Sequence, residues 1–304
     1  MSSVSINQRQ TQFTTIVRER AVDYLALAKP RIAVMAMAAV AVGYLIGSRT
    51  EFEVLRLLSA CAGIFCVAVS CSLLNQWFEQ DTDQKMVRTA DRPLAAGRVS
   101  SGGILLVGLV LASTGVTWLW LTTNLLTSVL SAATIAVYVC VYTPMKRVSS
   151  VCTTVGAIPG AIPPVLGWVA AGGQLDEGAM ALFLLLFAWQ FPHFLAIATI
   201  HHEDYERAGL KMLPRVAGKS VAGYLSVAYA CVLIPISLML WEQGVVGIPY
   251  LVVSIIGGVC YLAFSVRFLL EQSIGRARTV LLCSIVYLPA VLLTMTFDYF
   301  RLLS

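Results

Sequence analysis

Charge is what this sequence has least of. Only 12% of its 304 residues are Asp, Glu, Lys or Arg, against 58% apolar residues and a mean hydropathy of +0.81. Soluble domains carry roughly 25% charged residues, so a water-clothed globular protein is excluded and the solvent for most of the chain is lipid. Histidine is nearly absent, with His193, His201 and His202 only. The eight cysteines form no CxxC pair and fall within or beside apolar runs, which points away from metal ligation or a disulfide framework and towards inert packing. An apolar leader is missing too: the first 29 residues are polar, with Arg9, Arg18 and Arg20, and read as a cytoplasmic tail rather than a cleaved signal. The net charge of +5 calls for no nucleic acid, because a basic cytoplasmic face is what membrane topology demands.

What is abundant is long apolar sequence. A hydrocarbon core about 30 Å thick takes roughly 20 residues of helix per crossing. Nine stretches have that length: 32–48, 54–77, 103–122, 124–143, 151–171, 179–200, 220–241, 247–268 and 279–297. They are continuous rather than alternating, so helices and not barrel strands satisfy their backbone groups. The expected fold is an all-α membrane protein: a tail over 1–29, then one nine-helix domain over 30–304. With the tail in the cytoplasm, alternation leaves only Arg49, Arg56 and Arg301 among the basic residues on the far side. That bias places the N-terminus inside and the C-terminus outside. Trp118, Trp120, Trp168 and Trp241 lie near the span ends and are expected in an interfacial aromatic belt. Three prolines in "GAIPGAIPPVLGW" (156–168) are expected to kink the fifth helix beside a central cavity. Gly156 and Gly160 either line that cavity or let helices pack closely.

The scarce charge is concentrated. In "NQWFEQDTDQKMVRTADRPL" (75–94), Asn75, Glu79 and Asp83 recur every fourth residue and share one helical face. Such hard oxygen donors suit Mg²⁺, which uses one or two carboxylates and takes other ligands from water and substrate phosphates. Lys85, Arg88 and Arg92 follow directly, and arginine captures phosphate oxygens in bidentate fashion. A metal diphosphate site is one reading; a solvated helix end stitched by pairs such as Asp81 with Lys85 is the other.

The second polar run, "WQFPHFLAIATIHHEDYERAGLKMLPR" (189–215), holds every histidine. His193 lies inside an apolar span, where a polar side chain is a functional candidate by default. It either contacts an apolar substrate such as a macrocycle or its iron, or bonds a neighbouring helix. Asp204 mirrors Asp83 in position, which hints at a weak internal duplication, and Lys211 and Arg215 repeat the basic follow-through.

The joint pattern of Asn75, Glu79 and Asp83 with "KMVRTADRPL", "YTPMKR", "GAIPPVLGW", "WQFPHF" and "DYERAGLKMLP" resembles the UbiA-type intramembrane prenyltransferases, and within them the heme O synthase branch. The likeness covers about residues 23 to 298. It implies a nine-helix bundle around a cavity, capped by two charged cytoplasmic loops, in a bacterial inner membrane. It further implies Mg²⁺ as cofactor, farnesyl diphosphate and protoheme IX (heme b) as substrates, and association with heme A synthase or terminal oxidase assembly. By the same resemblance Asn75, Glu79, Asp83 and Asp204 would hold the metal, with Asp83, Asp204 and Arg88 catalytic. Lys85, Arg88, Arg92, Lys146, Arg147 and Lys211 would hold the diphosphate, and His193 would face the heme. The chain departs from the family pattern at Glu79, where Asp is frequent, and at Cys152, where Asn is usual. Two alternatives compete: prenylation of an aromatic acid or quinone precursor, and a secondary transporter. Acids clustered at one membrane face, rather than at the midplane, favour an interfacial enzyme over the transporter.

Overall fold

The computed structural model describes residues 18, 20–48, 52–216 and 218–303. Most of the expected tail, and Arg49, lie outside them. Nine helices among the described residues are long and apolar enough to cross a membrane. We number them α1 Pro30–Gly47, α2 Val54–Phe78, α3 Ser101–Thr122, α4 Leu125–Met145, α5 Cys152–Ala170, α6 Glu177–Ile200, α7 Lys219–Glu242, α8 Ile248–Leu270 and α9 Ile274–Leu303. The spans read from the sequence match these closely. The largest difference is α9, which runs past both expected ends because it takes Arg276 and Arg278 into its first turns and Asp298 and Arg301 into its last.

Local chemistry sets the joints. The tight α3–α4 connection is fixed by Asn124, whose side chain accepts from the Thr127 N–H and donates to the Val169 carbonyl, capping α4. The prolines act as expected: α5 breaks at Ile162, and Pro163 opens its second half. That half lies against α1 so closely that a Cβ on Gly43 would strike the Pro164 carbonyl. The helices pack in a ring: α2 on α3, α6 on α7 and α9, α7 on α8, α8 on α9, with α9 also reaching α1.

One expectation needs correcting, and one pair of alternatives resolves. Trp168 is not in an aromatic belt: it is 1% exposed and joins the core between α1, α5 and α6, whereas Trp118, Trp120 and Trp241 are exposed. Gly156 and Gly160 serve close packing, since a Cβ there would strike the Tyr142 ring and the Gln190 side chain respectively.

Candidate functional site at one end of the bundle

α2 ends at Phe78, but its winding is carried on by a single helical turn, Gln80–Asp83. The Glu79 N–H bonds the Asn75 carbonyl and the Asp83 N–H bonds the Glu79 carbonyl, so the four-residue phase survives the helix end. Asn75, Glu79 and Asp83 therefore share a face and are all buried, at 2%, 7% and 2% exposure. Buried carboxylates need partners, and these come from other segments. Asp83 Oδ2 accepts from Arg92 Nη1 at 2.6 Å, and Glu79 Oε1 accepts from Lys146 Nζ at 2.8 Å. Asn75 Nδ2 donates to Thr143 Oγ1 at 3.0 Å. Asp83 Oδ1 is buried with no hydrogen-bond partner among the described residues. Burial pushes the Asp83 carboxyl above its ordinary value, outweighing Arg92. The orphaned carboxylate oxygen leaves an acceptor at this site that no described donor fills.

One residue of this cluster went unrecognised in the sequence. Lys29, the last residue before α1, is in the left-handed region at φ 49° and ψ 62°, a conformation uncommon outside glycine. The preceding backbone is gripped by α2: Ser72 Oγ and Gln76 Nε2 both donate to the Leu27 carbonyl, at 2.9 and 2.8 Å. Lys29 thereby stands in the electrostatic field of Glu79, Asp83, Arg92 and Lys146, and makes no ion pair among the described residues. Burial pushes its ammonium down to about 7, and the neighbouring cations Arg92 and Lys146 push the same way. Three cations thus surround two carboxylates, and Lys29 is the surplus one. Its only signal in the sequence was its place directly before a span-opening proline.

The second acidic run reaches the same end of the bundle. Asp204 sits in the short helix His202–Arg207, 8% exposed. Its Oδ1 accepts from the Val87 backbone N–H at 3.2 Å and from Arg207 at 2.6 Å, so Asp204 ties the loop after α6 to the loop after α2. Met86, Ala208 and Leu210 form an apolar seam between the loops. Arg88, exposed, lies 5.8 Å from the Tyr205 ring. His201 is pushed below its ordinary pKa by burial and then by Arg88. The Lys211 N–H bonds the Lys146 carbonyl at 2.8 Å, joining a third loop.

The expected residues thus fall into three groups. Asn75, Glu79, Asp83, Arg92 and Lys146 converge. Asp204, Arg88 and Lys211 belong to the adjoining loop seam, and the Lys85 and Lys211 side chains are exposed. Arg147, also exposed, donates to the Phe78 carbonyl and leans on the Phe78 ring. His193 stands apart, within α6. Its Nδ1 lies 2.7 Å from Ser284 Oγ on α9, and its ring stacks on Trp189. No three His, Cys, Asp or Glu side chains among the described residues draw together as a metal-holding group, so Asp204 does not close an all-protein cage with Glu79 and Asp83. The Asp81–Lys85 pairing is not formed: no such ion pair occurs among the described residues, and Asp81 is exposed.

The helical fold is similar to that of solved UbiA homologs. A UbiA homolog from Archaeoglobus fulgidus, determined with DMAPP and Mg²⁺, has this fold at TM-score 0.66 and 15% identity, over 90% of this chain and 99% of that one. Residues 36–300 match the UbiA prenyltransferase family. Protoheme IX farnesyltransferase of Solibacter usitatus is 43% identical, over 91% of this chain and 98% of its own. That of Koribacter versatilis is 38% identical, over 91% and 93%. The chain belongs to the UbiA prenyltransferase family and is an integral, multi-pass membrane protein.

Proposed function

We propose that this protein transfers the farnesyl group of farnesyl diphosphate to a vinyl group of protoheme IX, giving heme O and diphosphate. The observation that carries the reading is the convergence of Lys29, Arg92 and Lys146 on Glu79 and Asp83 at one end of an apolar bundle, in a chain 43% identical to a protoheme IX farnesyltransferase. The donor set suits Mg²⁺: hard oxygens only, with Asp83 Oδ1 buried and without a hydrogen-bond partner among the described residues. Asn75, Glu79 and Asp83 would hold the ion, and Asp204 would meet the diphosphate or a second ion from the adjoining loop seam. The ion supplies neutralisation of charge on the leaving diphosphate.

The chain's own groups do the rest. Arg92 and Lys146, now held by carboxylates, turn to diphosphate oxygens, with Lys29, which makes no ion pair among the described residues, adding a third charge. Arg88, Lys85, Arg147 and Lys211 line the approach. As the allylic C–O bond breaks, these fixed cations stabilise the growing negative charge without reorganising. The apolar walls keep water from the farnesyl cation until the vinyl carbon bonds to it. Water then adds to the resulting cation and loses a proton, completing the hydroxyethylfarnesyl group. His193 faces the porphyrin in this reading. The distribution of Lys and Arg supports cytoplasmic charged loops, and the bacterial relatives support an inner-membrane location.

The test is to incubate purified protein with Mg²⁺, farnesyl diphosphate and heme and to look for heme O by mass spectrometry. Heme O is expected from the parent protein and not from Asp83→Ala. Prenylated hydroxybenzoate in its place would overturn the substrate assignment, and undiminished product from Asp83→Ala would overturn the site.

A further inference from the structure

The stretch Val137–Tyr142 inside α4 is wound as a π-helix. Such turns are rare and gather at functional sites, because each rotates everything after it relative to the helix before. Here the rotation has two visible results: Lys146 meets Glu79, and Thr143 meets Asn75. The second contact contains a decision about protons.

The Tyr138 carbonyl accepts the Thr143 backbone N–H, five residues on, and also the Thr143 hydroxyl at 2.8 Å. A threonine hydroxyl has one proton and two lone pairs. With the proton committed to Tyr138, Thr143 Oγ1 offers only lone pairs to its other neighbour. That neighbour, Asn75, must present its NH₂ to Thr143; the reversed amide would set one oxygen's lone pairs against another's. Both residues are buried, at 2% and 1% exposure, so no bulk water relaxes the choice. Asn75 Oδ1 is consequently turned away from α4, and it accepts no hydrogen bond among the described residues.

We propose that Thr143 is a positioning residue: it locks the Asn75 amide so that the carbonyl oxygen, and not the NH₂, faces the divalent cation. An NH₂ group cannot ligate a cation, so a free amide would spend part of its population in a non-binding orientation. The π turn of α4 is the backbone device that aims the lock. This inference rests on the assignment of Asn75 as a metal ligand, and the two fail in different ways.

Mn²⁺ stands in for Mg²⁺, with inorganic diphosphate present, and bound ion is counted by electron paramagnetic resonance; no turnover is involved. Removal of an outer partner of a metal ligand costs roughly ten- to a hundredfold in affinity. Thr143→Val, which keeps the shape and loses the acceptor, is expected to raise the Mn²⁺ dissociation constant about tenfold. Thr143→Ser is expected to restore it. Should the valine variant not fold, Thr143→Cys, a weak acceptor, takes its place with the same expectation. In an Asn75→Asp background the valine substitution should no longer weaken Mn²⁺ binding, because a carboxylate has no amide end to orient. Parent-like affinity in the valine variant, or equal weakening in the Asn75→Asp background, would overturn the positioning role and leave the metal assignment standing. A parent protein that binds no Mn²⁺ with diphosphate would overturn the metal assignment itself.

Discussion

Two buried carboxylates stand at opposite ends of this bundle and do opposite work. Asp83 is 2% exposed and Asp298 0%; Asp83 Oδ1 has no hydrogen-bond partner among the described residues, whereas Asp298 Oδ1 lies 3.6 Å from Arg301 Nε. Asp298, near the end of α9, accepts through Oδ2 from the backbone N–H groups of Gly247 and Tyr250, at 2.8 and 2.9 Å. It caps the start of α8 with main-chain donors that have nowhere else to go. Asp83 is held by a guanidinium on a loop, a partner that can exchange one oxygen for another. The lesson lies in the kind of donor: the backbone N–H groups commit Asp298 to the fold even with Arg301 beside it, while Asp83, held by a side-chain cation alone among the described residues, is available to a ligand.

That contrast breaks most sharply under substitution. Asp83→Asn is expected to lower farnesyl transfer by about two to three orders of magnitude, the scale for losing one group that stabilises transition-state charge. Thermal stability should not fall with it. Because burial holds the folded-state pKa of Asp83 above its ordinary value, the ionised form at neutral pH costs folding free energy, and a neutral amide relieves that cost. Asp298→Ala should do the reverse: a loss of roughly 2–3 kcal/mol from orphaned backbone donors, read as a lower unfolding temperature in detergent, with turnover per folded molecule kept. Asp298→Ala that abolishes turnover at full stability, or Asp83→Asn that melts the protein, would erase the distinction.

How much of this could be read in advance depends on which solvent the residues face. Span number and span ends were legible because lipid leaves the backbone no choice but helix, and charge marks where it ends. The Asn75, Glu79 and Asp83 face was legible because a period of four survives one turn beyond α2. The partners of that face were not. Lys146 meets Glu79 only through a π turn, and a uniformly apolar stretch such as Val137–Tyr142 carries no periodicity that betrays one. Lys29 reads in the sequence as one more topogenic base, since juxtamembrane lysines serve that role so often; its αL backbone and the Ser72 and Gln76 grip on Leu27 are tertiary facts. Trp168 went wrong for the same reason. A tryptophan near a span end suits the interface, and only the packing of Gly173 and Gly178 against its ring shows that it is buried.

The smallest expected effect is one of pH, and it separates Lys29 from the two cations already paired. With its ammonium pushed down to about 7, Lys29 in the free enzyme is charged below that pH and increasingly neutral above it. Bound diphosphate favours the charged form, so binding above pH 7 must take up a proton. Then kcat/KM for farnesyl diphosphate should decline above pH 7, by about tenfold per pH unit at most for one required proton. Lys29→Arg should flatten this limb, because a guanidinium keeps its proton. Lys29→Met should remove the limb as well, but from a lower plateau, with KM raised about tenfold by loss of one charge-assisted contact. A declining limb that persists unchanged in both variants would assign the titration to another group and return Lys29 to the role of a topological anchor.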